Sequence, residues 1–146
     1  MDVGKTGVDG AVAKNPFKQR SRVRTTGHQA KLANTYRLRP VRRFVPHLIH
    51  KKGEELMGSF GDMTYKPEAC GEVAIEIADR MVAFIKAQAF DRYRCVVEVT
   101  VMEKQGQAVK MASRALWDSE KDTSLTLKYE NKHLLAVGVV FALYLD

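Results

Sequence analysis

The chain has 146 residues, 45% hydrophobic and 28% charged, with two Cys and one Trp. A chain of this size buries about two-thirds of its unfolded surface as one domain, which removes the need for a disulfide or metal staple and argues against a multidomain enzyme. The formal charge of +7 is unevenly placed: residues 1–52 carry 13 Lys and Arg against two acids, and residues 53–146 carry 11 against 15.

The N-terminus lacks a basic cap followed by an apolar stretch, and no apolar run is long enough to cross a membrane, so a cytosolic protein without membrane contact is expected. Residues 1–33 form a basic tail in which Gly4, Gly7, Gly10, Pro16 and Gly27 break any periodicity. Its like charges repel, which predicts disorder unless a partner orders it. Lys18, Arg20, Arg22 and Arg24 are its candidate contact residues. They suit either nucleic-acid phosphates or an acidic protein surface, and a mobile solubilising arm is a third reading. Phe17 is the sole aromatic before Tyr36, so base stacking has little support. The run Arg20-Ser21-Arg22-Val23-Arg24-Thr25-Thr26 also has the composition of a basophilic kinase substrate, with Ser21, Thr25 and Thr26 as acceptors.

Residues 34–45 read as an extended strap, since Pro40 and Pro46 push the residues before them out of the helical region. Residues 46–146 carry the folded domain. Pro46 opens a first helix reaching Gly61, and Pro67 opens a second in which Cys70, Val73, Ala74, Ile77, Met81, Phe84 and Ile85 form one stripe up to about Ala89. From Tyr93 the period changes to two, giving a strand to Met102. A turn at Lys104–Gln107 leads to a second strand, Ala108–Trp117. A polar loop then leads to Thr123–Tyr129, and a last strand covers His133–Leu145. No proline follows Pro67, which favours a contiguous antiparallel meander. The fold class is α+β, with two helices packed on a four-stranded antiparallel sheet.

The last strand is apolar on both faces of an extended chain, where a one-sided sheet would alternate. Two helices cover one face, and a second subunit is the natural cover for the other, with Val137, Val139, Val140, Phe141 and Leu143 at the interface. No catalytic, cofactor or metal site emerges. Gly4-Lys5-Thr6 lacks the strand and upstream glycine of a phosphate loop. His47, His50 and Glu54 lack a fourth ligand at metal spacing. Ser113 and Cys95 have no adjacent base, and Cys70 and Cys95 read as reduced core thiols.

Phe90-Asp91-Arg92-Tyr93, Met111-Ala112-Ser113-Arg114-Ala115-Leu116-Trp117-Asp118, and Asn34-Thr35-Tyr36 with Arg39-Pro40 together resemble the Tctex-type dynein light chains, in particular the second Tctex branch, which includes axonemal outer-arm chains. The resemblance spans about Asn34 to Asp146. It implies a non-catalytic subunit of a dynein heavy-chain complex in the cytoplasm and cytoskeleton, at the microtubules of a cilium or flagellum axoneme. It further implies a dimer with strand exchange, formed with a second Tctex-type light chain as a heterodimer, and a grip on dynein intermediate chains. An inner-arm or intraflagellar-transport dynein is the alternative within the family, and a basic-tailed nucleic-acid-binding module the alternative outside it. A peptide gripped in this way adds a strand to a sheet edge. Thr123, Ser124, Thr126 and Lys128 on the shortest expected strand are the candidate edge, with Arg114 and Trp117 as candidate anchors.

Overall fold

The computed structural model describes residues 19–25, 39–114 and 118–145. Helix α1 runs Pro46–Met57 and tightens into a 3₁₀ turn over Gly58–Phe60. Gly61 closes that turn at φ 46°, a left-handed conformation that costs glycine nothing. The first helix is thus regular for four residues fewer than its sequence pattern suggests. Helix α2, Pro67–Ala87, buries Cys70, Ala74, Ile77, Ala78, Met81 and Ile85. Glu68 in its first turn and Lys86 in its last oppose the helix dipole. Both helices open on a proline whose missing N–H would lack an intrahelical partner anyway.

Four antiparallel strands form one sheet: β1 (Gln19–Thr25), β2 (Tyr93–Glu103), β3 (Thr123–Glu130) and β4 (Leu134–Tyr144), in the order β1-β2-β4-β3. The α+β class and the strand count agree with expectation, but the membership of the sheet does not. Ala108–Arg114, expected within the second strand, has no strand pairing, and Ala115–Trp117 lie outside the described residues. The fourth place is taken by seven residues of the tail, for which disorder was expected. The sheet is no simple meander either. β2 and β3 both run antiparallel to β4 and hence parallel to each other. The connection at 104–122 must therefore carry the chain back along the whole sheet, about 35 Å for an eleven-residue strand.

Strand register defines the two faces. Tyr93, Cys95, Val97, Val99 and Val101 on β2 pair across to Tyr144, Ala142, Val140, Gly138 and Ala136 on β4. With Leu125 and Leu127 of β3 they form the buried floor beneath both helices. Helix α1 comes close to this floor at Gly53, where an added Cβ would meet both methyls of Leu127 and the terminal methyl of Met81 within 3.0 Å.

Two polar clasps tie the periphery to the sheet. In the first, the Asp91 carboxylate accepts the Val41 N–H at 3.2 Å, and the Asp91 N–H donates to Arg42 O at 3.3 Å. Arg92, held at φ 57°, donates from Nε to Leu145 O at 2.9 Å and accepts the Leu145 N–H at 2.7 Å. The Tyr93 hydroxyl donates to Lys121 O at 3.1 Å, and Phe44 packs on Phe90 at 5.1 Å between ring centres. The strap is thus seated on the sheet from Val41 to Phe44. In the second clasp, Asn131 Nδ2 donates to Gly61 O and Met63 O, while its Oδ1 accepts the His133 and Leu134 N–H groups. Tyr129 adds a hydroxyl donation to Gly61 O at 2.9 Å.

Burial pushes the Cys95 thiol up to about 12 and raises the Tyr93 phenol as well. The folded chain therefore keeps protons that the unfolded chain releases near pH 8.5–10. This stabilisation is complete below about pH 8.5 and is lost as pH rises toward 12. Denaturant titrations from pH 8 to 11 should show stability falling with pH, less steeply by about 1.4 kcal/mol per unit in Cys95→Ala. Gly53→Ala is expected to lower stability by about 1–2 kcal/mol, because overpacking against Leu127 and Met81 exceeds the gain in helix propensity. Asn131→Ala should cost about 2 kcal/mol by the same denaturant measurement.

Candidate partner-binding sheet surfaces

The face of the sheet turned away from the helices carries a central apolar stripe. Leu135, Val137, Val139, Phe141 and Leu143 follow one another on β4 by the period of two. Val96 and Met102 lie beside Phe141 and Leu135 on β2. Val137 and Met102 are buried, whereas Leu135, Val139, Phe141, Leu143 and Val96 are half-buried. Polar residues border the stripe on both sides: Arg94, Glu98 and Thr100 on β2, and Ser124, Thr126, Lys128 and Glu130 on β3. An apolar centre with a polar rim is the composition of a protein interface.

Four of the five interface candidates, Val137, Val139, Phe141 and Leu143, share this stripe. Val140 does not, because the register turns it to the helix-covered face, where it is 1% exposed in the chain's own core. Its placement is a matter of phase: a strand apolar at every position gives no sign of which alternate set faces the helices.

Thr100 lies in the rim beside Val137 and is 1% exposed. Among the described residues its hydroxyl is the buried side-chain oxygen without a hydrogen-bond partner. A buried hydroxyl without a partner carries its desolvation cost uncompensated.

The sheet has two outer strands, β1 and β3. β3 presents the candidate edge: Ser124, Thr126 and Lys128 are exposed and Thr123 is half-buried. Lys128 Nζ lies 3.2 Å from the Glu130 carboxylate, which Lys104 approaches to 2.7 Å. Those two ammonium groups, Lys104 first, hold the Glu130 carboxyl below the usual range. Arg114 is exposed in the connection, away from any strand, and Trp117 lies outside the described residues.

The other outer strand was not legible as a strand. Paired residues on antiparallel strands share a face, so Arg22 and Arg24, opposite Val99 and Val97, lie on the helix side of the sheet. There Arg24 Nε meets Asp79 of α2 at 2.9 Å. The missed signal is the alternation of Arg at 20, 22 and 24 with Ser21, Val23 and Thr25, a strand period masked by the charge of the segment. Of the remaining tail candidates, Lys18 lies outside the described residues, and Arg20 pairs through its backbone with Val101.

His50 Nδ1 sits 3.6 Å from the Glu54 carboxylate one helical turn on, on the solvent side of α1. Among the described residues no three His, Cys, Asp or Glu side chains gather as metal ligands. Among the same residues no helix is long and apolar enough to cross a membrane.

A model of the Tctex-1 family matches residues 43–143. The chain is 32% identical over 117 residues to human Dynein light chain Tctex-type protein 2, an overlap of 80% of this chain and 59% of that protein. It is 35% identical over 115 residues to Dynein light chain Tctex-type protein 2B of Danio rerio, with 77% of each chain covered. Against human Dynein light chain Tctex-type 5 the identity is 28% over 116 residues, covering 79% of this chain and 65% of that protein. The chain thus spans less than two-thirds of the length of the human type 2 and type 5 proteins.

Thr100→Val, which replaces the hydroxyl by a methyl, is expected to leave stability unchanged or raise it by up to about 1–2 kcal/mol. Thermal unfolding of the two proteins provides the measurement.

Proposed function

Since the chain belongs to the Tctex-1 family, we propose that it is a non-catalytic dynein light chain of an axonemal outer arm. In this reading it pairs with a second Tctex-type light chain and binds dynein intermediate chains, helping to assemble the motor in the cytoplasm and at the ciliary or flagellar axoneme. The observation that carries it is the apolar stripe Leu135–Leu143 on the helix-free face, in a chain whose relatives are named dynein light chains. A stripe with a polar rim is suited to a second sheet laid face to face. A sheet edge offers unpaired N–H and C=O groups to an extended intermediate-chain segment, and polar β3 is the edge assigned to it. ATP hydrolysis belongs to the heavy chain, and the light chain contributes binding surfaces.

Tagged protein recovered from ciliated cells should bring down an outer-arm heavy chain, intermediate chains and a second Tctex-type chain, identified by mass spectrometry. Recovery of inner-arm or intraflagellar-transport heavy chains alone would reassign the arm, and recovery of no dynein subunit would overturn the reading. Two aspartate substitutions separate pairing from folding. Val139→Asp should leave the protomer folded and abolish pairing in light scattering. Val140→Asp should unfold it at a cost of about 3–5 kcal/mol, as it buries an unpaired charge beneath the helices.

A further inference from the structure

We propose that the strap and the loop before β3 form a docking cleft for an acidic peptide segment of a partner protein, with Arg39, Arg43 and Lys121 as its cations. The cleft lies at the end of the sheet where β2 starts and β4 stops, and it goes beyond the dynein reading, which uses the apolar stripe and the β3 edge.

The cleft is built on a row of rings. Phe90, Phe44, Tyr93 and Tyr144 follow one another with centres 5.1, 6.0 and 5.5 Å apart. A cation lies over each end of the row: the Arg42 guanidinium 5.9 Å from the centre of Phe90, and Lys121 Nζ 5.7 Å from that of Tyr144. Ring faces attract such groups and restrict where they point. The strap backbone is fixed as well, by the bonds from Asp91 to Val41 and Arg42. Arg39, Pro40 and Arg43 of this strap line, together with Asp118, Glu120 and Lys121 of the loop, an open cleft of about 280 Å³.

At this end of the molecule the acids serve the backbone and the arginines face solvent. Asp91 accepts the Val41 N–H, Asp118 that of Glu120 at 3.0 Å, and Asp122 that of Tyr144 at 2.8 Å. Asp118 also meets Lys121 Nζ at 3.3 Å, which leaves Glu120 as the cleft's balance for two guanidinium groups. Arg39, Arg42 and Arg43 are exposed, and the ion pairs among the described residues include none of them. Guanidinium groups on a fixed strap suit carboxylates, which they bind through two parallel N–H groups, and a site already ordered avoids part of the entropy cost of binding. Val41, 75% exposed between Arg39 and Arg43, adds an apolar contact for a peptide side chain. The volume is below that of small-molecule pockets and admits a few side chains of an extended peptide. A continuous phosphate backbone fits less well, because it would set charge against Asp118 and Glu120.

The test titrates the full chain, by fluorescence anisotropy, into a labelled peptide of alternating Glu and Gly, its counterpart with Gln for Glu, and a thymidine oligonucleotide of matching charge. Arg39→Gln combined with Arg43→Gln is expected to weaken the Glu peptide about fivefold, the effect of two exposed charge contacts. Glu120→Gln should tighten it about twofold by removing the cleft's own competing acid. Lys14→Gln combined with Lys18→Gln removes two charges from the tail and is expected to change affinity by less than about twofold. All three variants alter exposed or tail positions, and circular dichroism should find the domain folded in each. Unchanged affinity in the arginine variant, equal weakening in the tail variant, or equal binding of the Gln peptide would overturn the cleft. Tighter binding of the oligonucleotide, lost with the same two arginines, would overturn an acidic peptide as its occupant. None of these results bears on the dynein reading, which co-recovery and light scattering test separately.

Discussion

Strand β4 is apolar along its length and lies between two other strands, so neither of its faces tolerates open water. Helices α1 and α2 solve half of that problem. Their small and flexible residues, Gly53, Ala74, Ala78 and Met81 among them, let α1 settle on β3 and α2 on β2, closing a core that includes Ala136, Val140 and Ala142. The other half is left as the stripe Leu135, Val137, Val139, Phe141 and Leu143, which a single chain covers only in part. The strand that holds the protomer together thus also carries its outer apolar stripe. One residue in two serves the protomer's own core and the next serves the outer face.

The motif that first suggests the family acts as a structural clasp. Phe90-Asp91-Arg92-Tyr93 carries a buried ring against Phe44, a carboxylate on the strap, a left-handed arginine closed on Leu145, and a hydroxyl on Lys121. Each group ties down a different segment that would otherwise fray. Asn131 does the same at the opposite end, where its donors and its acceptor both find backbone partners. These residues are polar because peripheral segments leave backbone groups to be satisfied. Their role is in shape, and through shape they fix the two faces of the sheet.

The charge pattern takes on a more local meaning. The basic tail suits an acidic protein surface, and one such acid, Asp79, belongs to the chain's own second helix. The mildly acidic domain and its basic extension are therefore in contact at the sheet edge. At Arg24, positive charge that would otherwise be free to meet phosphates lies against an internal carboxylate. Ser21 and Thr25 lie on the strand itself, so a phosphate on either would bring negative charge to the edge that this contact holds.

Much of the architecture can be read from the residues. The stripe from Cys70 to Ile85, the alternation from Tyr93, and the doubly apolar last strand each follow from a local period, and a local period survives any tertiary arrangement. The family resemblance of residues 90–118 is likewise a property of sequence. Three features were not legible. Val140 and Val139 are chemically equivalent along an all-apolar strand, and only packing against α1 and α2 decides which of them faces the helices. Ala108–Arg114 has the composition of a strand but no place in the sheet, because a strand exists only where a neighbour supplies hydrogen bonds. Gln19–Thr25 has the composition of a disordered arm and becomes a strand, because the edge of β2 and the carboxylate of Asp79 repay its ordering. Helices and buried strands were determined by the sequence alone, since their periods are internal to each segment. The pairing of the sheet's edge was decided by the tertiary structure, since a strand there depends on hydrogen bonds from a segment distant in sequence.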